Sequence, residues 1–214
     1  MMKRTRSAST VRRPPTSRVT YRAARKRDTH ERILRSASQI ARREGLRAAS
    51  VPRVMTGAGL TIGGFYGHFR SKTTMDAEIV RTMLGTLRGL AGLEDSSGFD
   101  WLQRAVKRYL SVAHRDNVDG CEYPAVLSEI ATAPAEVQKA FAEAFEVRVA
   151  AFQPHVPPTT GVTARERALA TMALTMGGLL LARAAQGSPI SEEMLIACRK
   201  WALPEAALPD NSKP

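Results

Sequence analysis

The sequence holds only two cysteines in 214 residues, Cys121 and Cys198. No CxxC or Cys/His pair stands at ligand spacing, so neither a disulfide scaffold nor a zinc site is expected. No run of about 18 apolar residues is present to cross a bilayer. The nearest stretch, Met172 to Ala185, is interrupted by Thr175, Gly177, Gly178 and Arg183. The basic N-terminus lacks the apolar segment of a secretory signal, and a cytoplasmic, nucleoid-associated protein with no membrane partner is expected. Catalytic signatures are missing as well: there is no GxSxG, HExxH, Walker A loop or Gly-rich dinucleotide turn. His30, His68, His114 and His155 are scattered without carboxylates at a useful spacing. The expectation is therefore not an enzyme, with no cofactor and no metal.

What the chain does have is an ordinary globular composition, 43% hydrophobic and 24% charged, with a formal net charge of +12. Residues 1–27 carry Lys3, Arg4, Arg6, Arg12, Arg13, Arg18, Arg22, Arg25, Lys26 and Arg27 and no acid, so the remainder of the chain is close to neutral. With Pro14, Pro15 and many Ser and Thr, residues 1–25 read as a basic, disordered arm. It is either a solvated tail or a strap for DNA.

From residue 28 the pattern is helical throughout, and an all-α fold is expected. Asp28-Thr29-His30-Glu31 has the form of a capping box ahead of Ile33, Leu34, Ala37, Ile40 and Ala41. Ser50 starts a short second helix that tolerates Pro52 in its first turn. Gly59 breaks it, Thr61 caps a third, very short helix to about Gly67, and Ser71 caps a fourth. The stripe Met75, Ile79, Val80, Met83, Leu84, Leu87 carries that fourth helix into a second lobe. Further helices are expected near residues 98–115, 120–132, 134–152, 163–186 and 191–203. The domains are read as the arm at 1–25, a helix-turn-helix head at 26–72, a regulatory and dimerisation lobe at 73–206, and a tail at 207–214.

Two short helices joined by a Gly-containing turn, over residues 50–72, form the helix-turn-helix layout that places its second helix in the major groove. Gly63 and Gly64 sit inside a helix of about six residues, at a cost of about 0.8–1 kcal/mol each relative to Ala. Glycine permits a close backbone approach, and at an exposed helix start the surface approached would be DNA. Lys72 places a cation in the first turn of the fourth helix, against the macrodipole, a conflict that a docked phosphate resolves. Ser50, Arg53, Thr61, Tyr66 and His68 add donors suited to a DNA backbone. The simpler alternatives are that Tyr66 and Phe69 are core aromatics and His68 a surface residue.

The segment GLTIGGFYGHFRSK resembles the TetR-family core, and the likeness spans residues 29 to about 80. It implies a three-helix DNA-binding head with Thr61, Tyr66, His68 and Lys72 on phosphates and Ile62, Gly63 and Gly64 facing base edges. It also implies a dimeric regulator of a palindromic operator, a repressor released by a small molecule, with a variable C-terminal lobe of the AcrR-like subset. Met55 departs from the pattern, which has a small residue there. The segments GCEYPAVLSEIA and TMALTMGGLLLARAAQGSPISEEML resemble those of one large subset, whose last two helices form a four-helix dimer interface.

For that interface the candidates are Met172, Met176, Gly177, Gly178 and Leu181, on a stripe that could equally be an intrachain core. An apolar or amphipathic ligand could be lined by Met83, Leu87, Trp101, Tyr109, Tyr123, Phe141 and Phe145, which could also be ordinary core. Cys121, near a helix start, is a redox or electrophile sensor only if its sulfur is exposed; a buried thiol is inert. The remaining rival is a sequence-neutral nucleoid-type protein, for which the arm suffices but the head has no purpose.

Overall fold

The computed structural model describes residues 18–85, 93, 95–117, 121, 123–157 and 161–203. Its helices are α1 (Arg18–Glu44), α2 (Val51–Gly57), a 3-10 helix (Ile62–Gly67), α3 (Lys72–Leu84), α4 (Gly98–Tyr109), α5 (Val112–Asp116), α6 (Tyr123–Ala131), α7 (Ala135–Phe152), α8 (Ala164–Ala184) and α9 (Pro189–Ala202). The fold is all-α, as expected. None of these helices is long and apolar enough to cross a membrane.

Helix α1 starts ten residues before the expected cap at Asp28. The reason is local: Arg, Ala and Lys from Arg22 to Arg27 are strong helix formers, and nothing among them breaks the helix. Thr29, inside the helix, turns its hydroxyl back to donate to the Arg25 carbonyl at 2.9 Å. Residues 18–25 of the expected disordered arm are thus helical; residues 1–17 lie outside the described residues, as does Leu87. A capping box forms instead at α8, where Thr163 and Glu166 bond each other's backbone N–H groups. The single helix expected over residues 98–115 is divided at Leu110, because the Ser111 hydroxyl accepts the His114 N–H and restarts the chain as α5.

One core runs through the molecule. In the head it joins Ile33, Ala37, Met55, Phe65, Phe69, Met75 and Ile79; farther along α3, Met83 and Leu84 continue it into the lobe, where α3 packs along α7. Arg81 and Glu143 pair across that contact at 3.1 Å. Helices α8 and α9 turn back on each other at Gly187, whose φ of +89° suits glycine. They approach closely at Gly178, where an added β-carbon would lie 2.5 Å from Cys198 Sγ. The head is tied to the lobe by the Arg47 N–H, which donates to Glu129 of α6 at 2.8 Å.

Candidate nucleic-acid interface

Small residues and one arginine fix the angle between α1 and α2. Ser36 of α1 donates to the Val54 carbonyl at 2.9 Å in a buried contact, and a β-carbon on Gly57 would run into that same hydroxyl. Arg32 donates to the Ala58 carbonyl at 2.6 Å, pinning the turn at which Gly59 takes a φ of +65°. Sequence reasoning missed Arg32, Ser36 and Gly57. The available signal was that a close helix crossing needs small side chains on both partners.

The element after this turn is a 3-10 helix, anchored from within by Phe65 and Phe69, whose stacked rings have centroids 5.4 Å apart. Its other side is open. Thr61, Ile62, Gly63, Gly64 and Tyr66 are all exposed, Tyr66 by 74%, so Tyr66 is not the core aromatic it could have been. Nothing lies within 4 Å of the space a β-carbon on Gly63 would fill. Neither Ser50 nor Thr61 makes a side-chain cap bond, whereas Ser71 accepts the Thr74 N–H at 3.1 Å.

The cations are more engaged than the sequence suggests. The Lys72 ammonium donates to both carboxylate oxygens of Asp76, at 2.6 and 2.7 Å, and to the Leu46 carbonyl at 3.2 Å. Its conflict with the helix dipole is therefore relieved within the chain, one turn along, without a phosphate. Asp76 itself is held above the usual carboxylate range by burial, a shift opposed by Lys72. Arg53 grips Glu44 with two bonds of 2.9 and 2.7 Å, closing α2 onto the end of α1 and lowering the Glu44 pKa.

His30 does find a carboxylate, Glu78 of α3, at 2.7 Å. Its ring stacks on Phe69 with centroids 4.6 Å apart, and it lies 5.9 Å from His68. Burial, then the nearby positive charges of His30 and Lys26, lower the His68 pKa. Lys26 is thus close enough to His68 to be felt, which places the basic end of α1 on the head's open side. From Tyr21 to Arg32 no side chain is buried.

In the lobe, a cavity of ≈ 30 Å³ is walled by Ala105, Val106, Tyr109, Phe152 and Arg148, and closed by Met172, Thr175 and Met176 of α8. Of the expected ligand residues only Tyr109 lines it. Met83, Trp101 and Tyr123 are buried in core packing, and Phe141 stacks on Phe145 along α7, half-buried. Two residues assigned to a dimer interface, Met172 and Gly178, are instead buried inside the protomer, and Met176 lines the cavity. The outer face of α8 and α9 shows Leu180, Leu181, Ile190, Ile196 and Trp201, the last 84% exposed. Gly177 lies on that side with open space where its β-carbon would be. The Cys121 sulfur is 2% exposed, 3.2 Å from the Tyr109 hydroxyl, which is the buried state of the two considered for it.

An exposed recognition element braced by two helices and carried on a separate helical lobe defines a DNA-binding regulator of the helix-turn-helix class. Residues 33–79 match the family model of the bacterial regulatory proteins of the tetR family. The chain is a TetR-family transcriptional regulator. Solved structures of similar fold include reduced NemR of E. coli, 17% identical with a TM-score of 0.67, over 80% of this chain and 95% of that one. A TetR-family regulator from Agrobacterium tumefaciens is 21% identical with a TM-score of 0.62, over 80% and 98%. FadR of Bacillus subtilis, in complex with stearoyl-CoA, is 11% identical with a TM-score of 0.60, over 81% and 97%. No curated protein matches the chain.

Proposed function

We propose that this protein is a cytoplasmic, homodimeric repressor that grips a palindromic operator and is released by a small ligand in its helical lobe, with no catalytic activity of its own. The observation that carries the reading is the division of the 3-10 helix into an anchored side, Phe65 and Phe69, and an open side of Ile62, Gly63, Gly64 and Tyr66. Protein packing asks for no glycine at Gly63, so close approach to another molecule is the use left for it. In this reading Ile62, Gly63 and Gly64 face base edges, while Ser50, Thr61, Tyr66, His68 and Lys72 meet phosphates. Arg53, bonded to Glu44, braces the head from its edge and reaches phosphate from there.

The apolar outer face of α8 and α9 supports the dimer, because monomeric proteins rarely leave such side chains grouped in the open. A second copy on that face would hold two heads about 34–36 Å apart, the spacing of successive major grooves. Leu181 and Gly177 belong to that face, with Leu180, Ile196 and Trp201 beside them. Selection from a randomised duplex library, with nonspecific competitor at physiological salt, tests the reading. A two-fold symmetric consensus is expected; enrichment without any consensus would favour the sequence-neutral nucleoid-type protein.

A further inference from the structure

The cavity between α4, α7 and α8 has one charged wall. Arg148 is 6% exposed and yet lines a space otherwise bounded by Tyr109, Thr175 and apolar side chains. Its guanidinium carbon stands 5.2 Å from the centroid of the Tyr123 ring, a cation-π contact that orients the planar group. Burial pushes the Tyr109 pKa well above the ordinary tyrosine value, so its hydroxyl remains a proton donor through the physiological range. Thr175 donates to the Met172 carbonyl at 3.1 Å. No carboxylate stands among the described residues that line the cavity. A guanidinium cannot shed its charge, and its fork of donors matches a carboxylate bidentately.

We propose that the ligand of this lobe is a compact organic anion, a monocarboxylate with an apolar body, whose carboxylate docks on Arg148 and the Tyr109 hydroxyl. The body then lies along Phe152, Met172 and Met176. Those unbranched methionines can move to enlarge a cavity that is ≈ 30 Å³ when closed. The regulatory meaning of this site rests on the ligand-released repressor reading above; the binding itself does not.

Benzoate, benzamide and benzamidine have nearly the same shape and differ in charge, so titration calorimetry of the full-length protein with the three isolates the anion. Benzoate is expected to bind about 10–100-fold more tightly than benzamide, the range of one charge-assisted contact, with benzamidine weakest. Arg148→Gln should erase that preference. Arg148→Lys should keep its direction at reduced affinity, since the charge remains but the fork is lost. If Arg148→Gln does not fold, the three ligands on the native protein and on Arg148→Lys decide. Equal or tighter binding of benzamide to the native protein, no binding of any of the three, or a preference that survives in a folded Arg148→Gln variant would overturn the proposal. Operator release is measured separately. Benzoate that binds without loosening operator DNA contradicts the ligand-released repressor and leaves the ligand class standing, whereas release by benzamide alone does the reverse.

Discussion

Met55 lies directly beneath Gly64: its Cε stands 3.6 Å from the position a β-carbon on Gly64 would occupy, and its side chain is fully buried. The large residue on α2 and the absent side chain on the recognition element complement one another. The departure at Met55 is thus absorbed by packing between the two helices, at ordinary van der Waals distance.

Gly63→Ala and Gly64→Ala should consequently fold without strain, since one meets open space and the other a normal contact. Alanine in place of glycine stabilises a helical position by up to about 1 kcal/mol, so the melting temperature should hold or rise. Operator affinity should fall by about 1–3 kcal/mol, the worth of a good base contact. Thermal melts and gel-shift titrations of the same preparations check both halves; a variant that binds the selected operator normally would remove its glycine from the interface.

Lys72→Ala should lower the slope of log affinity against log salt by about one unit and leave the preferred sequence unchanged. Because Lys72 is held by Asp76 in the free protein, phosphate contact must share or displace that partner. Asp76→Asn should therefore tighten binding to operator and random duplex alike. Equal slopes for Lys72→Ala and the parent would show that the ammonium stays with Asp76 on DNA.

Trp201→Glu and Leu181→Glu should yield monomers in sedimentation with unchanged helicity, and should weaken operator binding although the head is untouched. Gly178→Leu should act differently. Its side chain would enter the α8–α9 contact at Cys198, an overpacking that costs about 1–3 kcal/mol of protomer stability. A Gly178→Leu protein of normal stability that fails to dimerise would return Gly178 to the interface between copies.

His68 gives the head a pH dependence of defined sign. Its folded-state pKa lies below the unfolded value, chiefly through burial, so the unfolded chain binds the proton more readily. The associated stability is complete above about pH 6.5 and is lost as pH falls through the folded value. Urea melts from pH 8 to pH 5 should show this loss, and His68→Gln should shrink it. A parent curve with the opposite slope in a His68-dependent manner would contradict the assignment.

Elements set by neighbours in sequence were readable from it. Ser71 with Thr74 is such a case, and so is the placement of Phe65 and Tyr66 within one short helix. Contacts between distant positions left no trace: His30 and Glu78 are 48 residues apart, and Arg47 and Glu129 are 82. The beginning of α1 was misplaced because two local signals compete there, and the run of good helix formers prevails over the capping pattern at Asp28. Helix α8 shows a different limit. Apolar residues cover both its faces, so periodicity alone could not separate Met172 and Leu179, which point inward, from Leu180 and Leu181, which do not.

At 27 residues, α1 is a rod of about 40 Å, with hydrophobic anchorage only from Ile33 onward. Its last turn adjoins Gly45 and the Arg47–Glu129 link to α6, while its first turns carry Arg22, Lys26 and the neighbouring cations past His68. A rod so mounted is a lever with its load at the long end. A tilt of about 5° at the lobe sweeps the basic tip through roughly 3.5 Å, comparable to the rise between neighbouring base pairs along a DNA strand. Small displacements inside the lobe are thereby magnified where the cations stand, and a distance label on Tyr21 would register them more sensitively than one in the recognition element itself.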